Sequence, residues 1–380
     1  MKLIKSKKYQ NVYSYKTQKG TFYTVRFVYY DLQGKRREKQ IRGFASELEA
    51  HKAELDLEIK YANGDTREID ESSLTVAQWV ERYSAMNQRN WRPNTKRVYE
   101  GCFKNYLIPT LGNCPLQKLT RAKYESLFIA PQFKKLSPAS IRDNHRTVMA
   151  LLNSAVDYEV LDKNRLSRVK LPKPNTRIAF EPADLKKFNQ ALLSLNYNYQ
   201  VFFRLLELTG MRRGEAMALT WEDVNLEKCE ISIRKSRSDF GTGPTKTSSS
   251  NRTIAIDKSL SQLLKHYRLY QKQKCLRLAT SFKESHVIFT SKLNNAIGTQ
   301  AISYNFKRAI DLANIKSGKY VVHSLRHTHA TYLLDLGVSP ADVAKRLGHS
   351  NASITLSIYA HSIKSNDKII AEKVAKLAEM

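Results

Sequence analysis

His323-Ser-Leu-Arg326-His327-Thr-His329-Ala-Thr-Tyr-Leu-Leu-Asp-Leu-Gly337 is the stretch on which the reading turns. At helical pitch His323 and Arg326 stand three apart and share a face, while Leu325, Leu333 and Leu336 supply an apolar one. Gly337 ends that helix. Ser339-Pro340-Ala-Asp342 starts another, with cap and first-turn acid where they belong, and it runs to Leu347 and stops at Gly348. His349 stands at the helix end, and Tyr359 follows in the segment that closes with His361. Five of the nine histidines lie between 323 and 361, a clustering that scattered surface histidines do not produce. His323, His327 and His329 have metal-like helical spacing, but no acid or cysteine completes a ligand set, so no metal is expected. His327, His329 and His361 read as packing or surface residues, and Tyr304 and Tyr332 as core.

Two further segments belong with this one. Thr209-Gly-Met-Arg212-Arg-Gly-Glu215 closes one helix and opens the next, and Lys246 lies between two alternating strands at Cys229–Arg234 and Arg252–Ile256. Arg213 is the neighbouring alternative to Arg212. The chain around them has 380 residues, enough for two or three domains at about 100–200 residues each. It carries 64 Lys+Arg against 35 Asp+Glu, a net charge of +29, which points to a polyanionic partner, nucleic acid first. Cys102, Cys114, Cys229 and Cys275 form no close pair; this excludes a disulfide scaffold and fits a reducing, cytoplasmic compartment. No apolar run approaches the ~18 residues of a membrane span, and the basic start has no apolar core of a signal peptide.

Charge switches near the N-terminus. Residues 1–42 hold twelve Lys/Arg and two acids, whereas 43–73 hold three and nine. The basic part reads as a three-stranded meander over Val12–Lys16, Thr21–Tyr30 and Arg36–Arg42, with turns at Lys19-Gly20 and Asp31–Gly34. A helix follows, capped by Ser46, with Glu47 and Glu49 in its first turn and Asn63-Gly64 at its end. Tyr23, Arg26, Lys35, Arg36, Arg37 and Lys39, interleaved with Tyr29 and Tyr30, are candidate DNA contacts of a reading sheet. After a polar linker at 65–73, Leu74, Ala77, Trp79, Val80 and Tyr83 form one helical stripe. Further helices cover 94–106, 121–128 and 137–158, with Pro109–Gly112 as a loop and Ser137-Pro138 as a cap and first-position proline. Arg92, Lys96, Arg97, Arg142 and Arg146 are the candidate DNA contacts here. A basic linker at 171–177 precedes the last region.

Arg212, Lys246, His323-x-x-Arg326, His349 and Tyr359, in that order, resemble the active site of the tyrosine recombinases, the phage integrase family. Thr209-Gly-Met-Arg212, Leu325-Arg-His-Thr328 and Leu347-Gly-His-Ser350 match its local signatures. The resemblance implies an α+β multidomain chain: an arm-type DNA-binding domain at 1–64 with a three-stranded sheet plus helix, an all-α core-binding domain at 74–168, and a mainly α catalytic domain at 177–380 with a small antiparallel sheet and a tail helix. It implies Tyr359 as nucleophile, Lys246 as general acid, Arg212, Arg326, His323 and His349 around the phosphate, and Glu215 behind them. The products would be a 3′-phosphotyrosyl enzyme and a 5′-hydroxyl, made without cofactor or metal. Implied partners are core and arm sites on double-stranded DNA, three further copies of the chain in a tetramer, an excisionase and a DNA-bending host factor, and no membrane. The element served is a temperate phage or a conjugative element of Gram-positive type. A tail stripe of Ile370, Val374 and Leu377 would link neighbouring protomers. A silent DNA-binding regulator on the same fold, a chromosome-dimer resolvase and a relaxing topoisomerase remain the competing readings.

Overall fold

Strand β1 (Ile4–Lys5), β2 (Val12–Thr17), β3 (Gly20–Tyr30) and β4 (Arg36–Phe44) open the chain as an antiparallel sheet in that order. The computed structural model describes residues 3–18, 20–30, 35–62, 74–173, 178–245, 251–349 and 351. The sheet has one strand more than expected, because two residues are too short to show an alternation. Helix α1 (Glu47–Ala62) is capped reciprocally: Glu49 N donates to Ser46 Oγ at 3.2 Å and Ala45 N to the Glu49 carboxylate at 3.1 Å. Val12, Val25, Phe27 and Tyr29 form one core with Ala50 and Leu57 of the helix.

A second core belongs to α2 (Val76–Asn87), α3 (Pro93–Cys102), α4 (Arg121–Tyr124) and α5 (Pro138–Asp157). Leu74, Trp79, Val80 and Tyr83 of the expected stripe are buried in it, whereas Ala77 is half-buried and Leu74 stands just ahead of the helix, and Trp79 Nε1 donates to Leu151 O at 2.9 Å. Pro109–Gly112 is not the expected loop. Helix α3 continues through a π turn, Phe103–Leu107, into a last helical turn at Ile108–Leu111. Helix α4 does the same through Glu125–Ile129 into Ala130–Gln132. Each π turn stands just before a proline, Pro109 or Pro131. A proline ring collides with the carbonyl four residues back; the wider turn makes room, and Ile108 N reaches Phe103 O while Ala130 N reaches Glu125 O.

The chain divides into two compact units, 1–175 and 176–380. The second comprises α6 (Pro182–Leu192), α7 (Tyr197–Thr209), α8 (Arg213–Ala218), β5 (Val224–Asn225), β6 (Glu230–Ile233), β7 (Lys235–Ser238), β8 (Gly241–Pro244), β9 (Arg252–Ala255), α9 (Lys258–Arg277), α10 (Thr299–Leu312), α11 (Ser324–Asp335) and α12 (Pro340–Leu347). The strands expected around Lys246 pair as β6 and β9 beside β5, and a separate β7–β8 hairpin fills part of the stretch between them. Helix α7 is sunk in the main core through Val201, Phe202, Phe203, Leu205 and Leu206, which fixes where its C-terminal end points. Leu325 anchors α11 in that core, and Ala330, Leu334, Val343 and Leu347 make a small core with α12. Leu336 is exposed instead of buried, because it caps α11 rather than lying on its apolar face. Lys19, the turn 31–34, the Asn63-Gly64 cap, the linker 65–73, residues 174–177, Lys246, Tyr359, His361 and the tail stripe lie outside the described residues.

Candidate active site and nucleic-acid interface

Thr209 ends α7, and Gly210 turns the chain with φ +64°. A Cβ there would stand 2.6 Å from Leu347 Cδ2 and 2.7 Å from His329 Cδ2, so the close approach of α7, α11 and α12 itself requires glycine. The turn delivers Arg212 to the N-cap of α8, and Glu215 one turn on reaches back to it. Arg212 N donates to Glu215 Oε2 and its Nη1 to Oε1, both at 2.8 Å, while Nη2 donates to Gly348 O at 2.8 Å. Arg326 is buried in the first turn of α11. Its Nη1 donates to Gly210 O at 2.9 Å and its Nη2 to Leu347 O at 2.8 Å. The two guanidiniums therefore rest on successive carbonyls at the end of α12, within one peptide unit of each other.

These carbonyls are the orphan acceptors of helix ends, where partial negative charge collects. The arginines satisfy them and leave a cationic surplus. Arg212, Arg326 and Arg252 surround one buried carboxylate, Glu215. Burial, then the charge of Arg212, push the Arg326 guanidinium down to about 9. Burial would raise the Glu215 carboxyl, but hydrogen bonds from Arg252 and Arg212 hold it below its usual range. Burial and then Arg326 and Arg212 press His349 down to about 4, so it stands neutral at pH 7. His323 caps α11 and meets His327 edge to face, with centroids 4.8 Å apart. A cleft of about 740 Å³ opens beside Arg212 and His323, lined also by Arg213, Ser303, Lys307 and Tyr320. Arg213 turns into this cleft toward Ser303 at 3.5 Å, while Arg212 alone of the pair joins Glu215 and Gly348. The arrangement can hold an anionic tetrahedral group by forked, charge-assisted hydrogen bonds.

Sequence reasoning passed over Arg252 and Arg346. Arg252 Nη2 and Nη1 meet Glu215 at 2.9 and 3.2 Å, and its Nε donates to Arg346 O at 2.7 Å. The signal was present: Arg252 lies on the same phase of the strand as buried Ile254 and Ile256, where an arginine needs an internal partner. His329 is a packing residue with a fixed tautomer. Its Nε2 accepts from Arg346 Nε at 3.1 Å, so the proton sits on Nδ1, 2.9 Å from Glu207 O. Tyr304 and Tyr332 are not core; both are about two-thirds exposed, at 67% and 64%.

Burial and the charge of Arg346 lower His329 to about 4. The unfolded chain takes up that proton near pH 6.5, the folded chain only near 4. Stability is therefore complete above about 6.5 and is lost as pH falls toward 4, by roughly 3 kcal/mol at most for this residue. Urea midpoints should fall between pH 7 and 5, and the fall should be about half as steep in His329→Gln, since His349 is lowered over the same range; an equal slope in parent and variant would refute the assignment.

In the N-terminal sheet the register sorts the candidate contacts by face. Arg26 pairs with Gln40, Val28 with Glu38 and Tyr30 with Arg36, on the face away from the core. Arg26 forks onto Glu38 at 2.7 and 2.9 Å and lies over Tyr13, at 5.7 Å from the ring centre. Arg37 pairs with buried Tyr29 and Lys39 with buried Phe27, so both sit on the helix side, and Tyr23 packs against the same core. The open face instead adds Arg42, opposite Thr24, and Tyr15, opposite Phe22. Lys35 is exposed before β4. In the helical region Arg92 caps α3, Lys96 pairs with Glu100 at 3.8 Å and Arg97 donates to Asn94 at 3.1 Å. On α5, Arg142 reaches Pro172 O at 3.5 Å and Arg146 pairs with Asp143 at 2.7 Å.

Among the described residues no three His, Cys, Asp or Glu side chains are grouped to hold a metal ion, and no helix is long and apolar enough to cross a membrane. The phage integrase family model matches residues 179–366. An arm DNA-binding domain matches 12–61, and the phage integrase N-terminal SAM-like domain matches 75–142. A XerC-like tyrosine recombinase of Caldanaerobacter subterraneus subsp. tengcongensis is 29% identical over 369 residues, covering 88% of this chain and 90% of its own. The ICEBs1 integrase of Bacillus subtilis is 25% identical over 333 residues, covering 85% and 89%. The Tn1549 transposon integrase, solved with a circular intermediate DNA, superposes with a TM-score of 0.69 at 21% identity, over 80% of this chain and all of that one, a likeness of fold. With all three family models laid end to end along it, the chain belongs to the phage integrase family, the tyrosine recombinases.

Proposed function

We propose that the chain integrates and excises a mobile element by cutting and rejoining DNA at a specific site. The observation that carries this is the pair of guanidiniums, Arg212 and Arg326, docked on adjacent carbonyls with a single buried carboxylate behind them. A scissile phosphodiester is anionic and gathers charge on its non-bridging oxygens as it is attacked, and this pocket supplies the countercharge in place. The Tyr359 phenolate attacks phosphorus, the bond to the 5′-oxygen breaks, and Lys246 gives that oxygen its proton, a step worth about 10²–10⁴-fold. His323 takes the phenol proton or donates to the phosphate, and neutral His349 donates one N–H. One phosphodiester is exchanged for a phosphotyrosine and later re-formed, so no nucleotide is consumed.

The open face of the N-terminal sheet, with Arg26, Arg36 and Arg42 beside exposed Tyr30 and half-buried Tyr13 and Tyr15, suits arm-type DNA, and Arg92, Lys96, Arg97, Arg142 and Arg146 suit the core site. Exchange between two duplexes cuts four strands, and one nucleophile per chain makes the working unit a tetramer. The work takes place where the DNA is, in the bacterial cytoplasm, with an excisionase and a DNA-bending protein as accessories. The arm-domain match and the likeness to the ICEBs1 integrase favour a mobile element over chromosome-dimer resolution.

The test is covalent. The purified chain, incubated with a nicked duplex of the junction between its element and flanking DNA, should give an SDS-stable protein–DNA adduct. A folded chain that binds the junction and forms no adduct would favour the regulator reading.

A further inference from the structure

We infer that Arg252 is a positioning residue for strand cleavage: by holding the Glu215 carboxylate it keeps Arg212 turned to the phosphate pocket. The inference rests on the function proposed above. Both side chains are almost sealed from solvent, with 7% of Arg252 and 2% of Glu215 exposed. Glu215 has two oxygens, and each is shared. Oε1 takes Arg212 Nη1 at 2.8 Å and Arg252 Nη1 at 3.2 Å; Oε2 takes Arg212 N at 2.8 Å and Arg252 Nη2 at 2.9 Å. Arg252 thus occupies the forked geometry on this carboxylate, and the Arg212 side chain touches it through Nη1 while Nη2 lies on Gly348 O.

Arg252 is itself locked. Its Nε donates to Arg346 O, and Arg346 answers with Nη1 and Nη2 on Ala255 O, both at 3.2 Å. This reciprocal clasp ties β9 to α12 one residue before Leu347, whose carbonyl seats Arg326. A buried carboxylate that loses its forked partner takes the nearest donor to fill both oxygens. The nearest is Arg212. Captured in a fork by Glu215, Arg212 would leave Gly348 O, and its charge would be spent on the carboxylate rather than on the phosphate. The chemistry of the site is therefore set by a three-body arrangement in which the second arginine neutralises the acid so that the first remains a cation toward the substrate.

Three readouts separate this from a role in folding alone. Single-turnover cleavage of the nicked junction duplex should slow by about 10²-fold in Arg252→Gln, with junction binding within about threefold of the parent. Adding Glu215→Gln should make the same Arg252 change cost less than about fivefold, because no carboxylate is left to capture Arg212. On a duplex with an uncharged methylphosphonate at the scissile position, the Arg252→Gln deficit should shrink below about tenfold, since that centre lacks the charge Arg212 holds. Arg252→Lys, which keeps the charge but not the fork, should fall between Gln and the parent, and it serves if the Gln chain fails to fold. Cleavage within about threefold of the parent, deficits that multiply in the double variant, or an equal deficit on both duplexes with a matching fall in melting temperature would each overturn the assignment. A parent chain that forms no adduct would overturn the proposed function instead.

Discussion

Tyr359→Phe is expected to abolish the covalent adduct while leaving DNA affinity unchanged. The substitution removes one oxygen from a basic surface and alters no charge. Without a nucleophile the remaining groups still bind and polarise the phosphodiester, but the exchange has no first bond to make, and the fall should be roughly 10⁴-fold or more. The check is an SDS gel of parent and variant on the same nicked duplex, paired with a binding titration. Persistence of the adduct would move the nucleophile elsewhere. Tyr304 and Tyr332, both on the surface, would then be the tyrosines to replace.

Arg326→Lys should be the second largest loss, and it should appear in both activity and stability. Arg326 bridges Gly210 O and Leu347 O, the two chain segments that also present Arg212 and His349. An ammonium is a point donor; it can reach one carbonyl and leaves the other buried without a partner, at about 1–3 kcal/mol. It also lacks the planar edge that matches two phosphate oxygens. Cleavage should fall about 10³-fold. A urea titration should show a clear but incomplete loss of stability. A lysine chain that cleaves within tenfold of the parent would show that Arg326 serves the fold and not the phosphate.

Much of this was legible in the residues, for local reasons. Ser46, Ser137 and Ser339 announce helix starts because capping is a short-range bond between a side chain and the backbone two or three residues on. Gly210 and Gly348 announce helix ends because they sit in the left-handed region. The order of Arg212, His323, Arg326 and His349 was readable, and the structure brings Arg212, Arg326 and His349 together. What escaped was non-local. The second face of the N-terminal sheet depends on register, so the split of Arg36 from Arg37 could not be seen before Tyr30 and Tyr29 had partners. The Pro109 turn escaped because its remedy, a π turn, lies upstream and carries no composition of its own. Arg252 escaped because its partner is 37 positions away, although its place among inward isoleucines was a clue.

The seating of two arginines on helix-end carbonyls has a consequence for how such a protein decays. The ends of α7 and α12 present negative dipole to the place where an anion must lie. Removing the nucleophile leaves a competent grip on DNA, so a chain that dies this way still occupies its sites and obstructs intact copies. Removing an arginine bares the carbonyls, and the surface that welcomed a phosphate now turns it away. The two routes to inactivity thus leave different legacies: one keeps the seat of the scissile phosphate intact, and the other loses that seat and holds DNA only by the basic surfaces elsewhere on the chain.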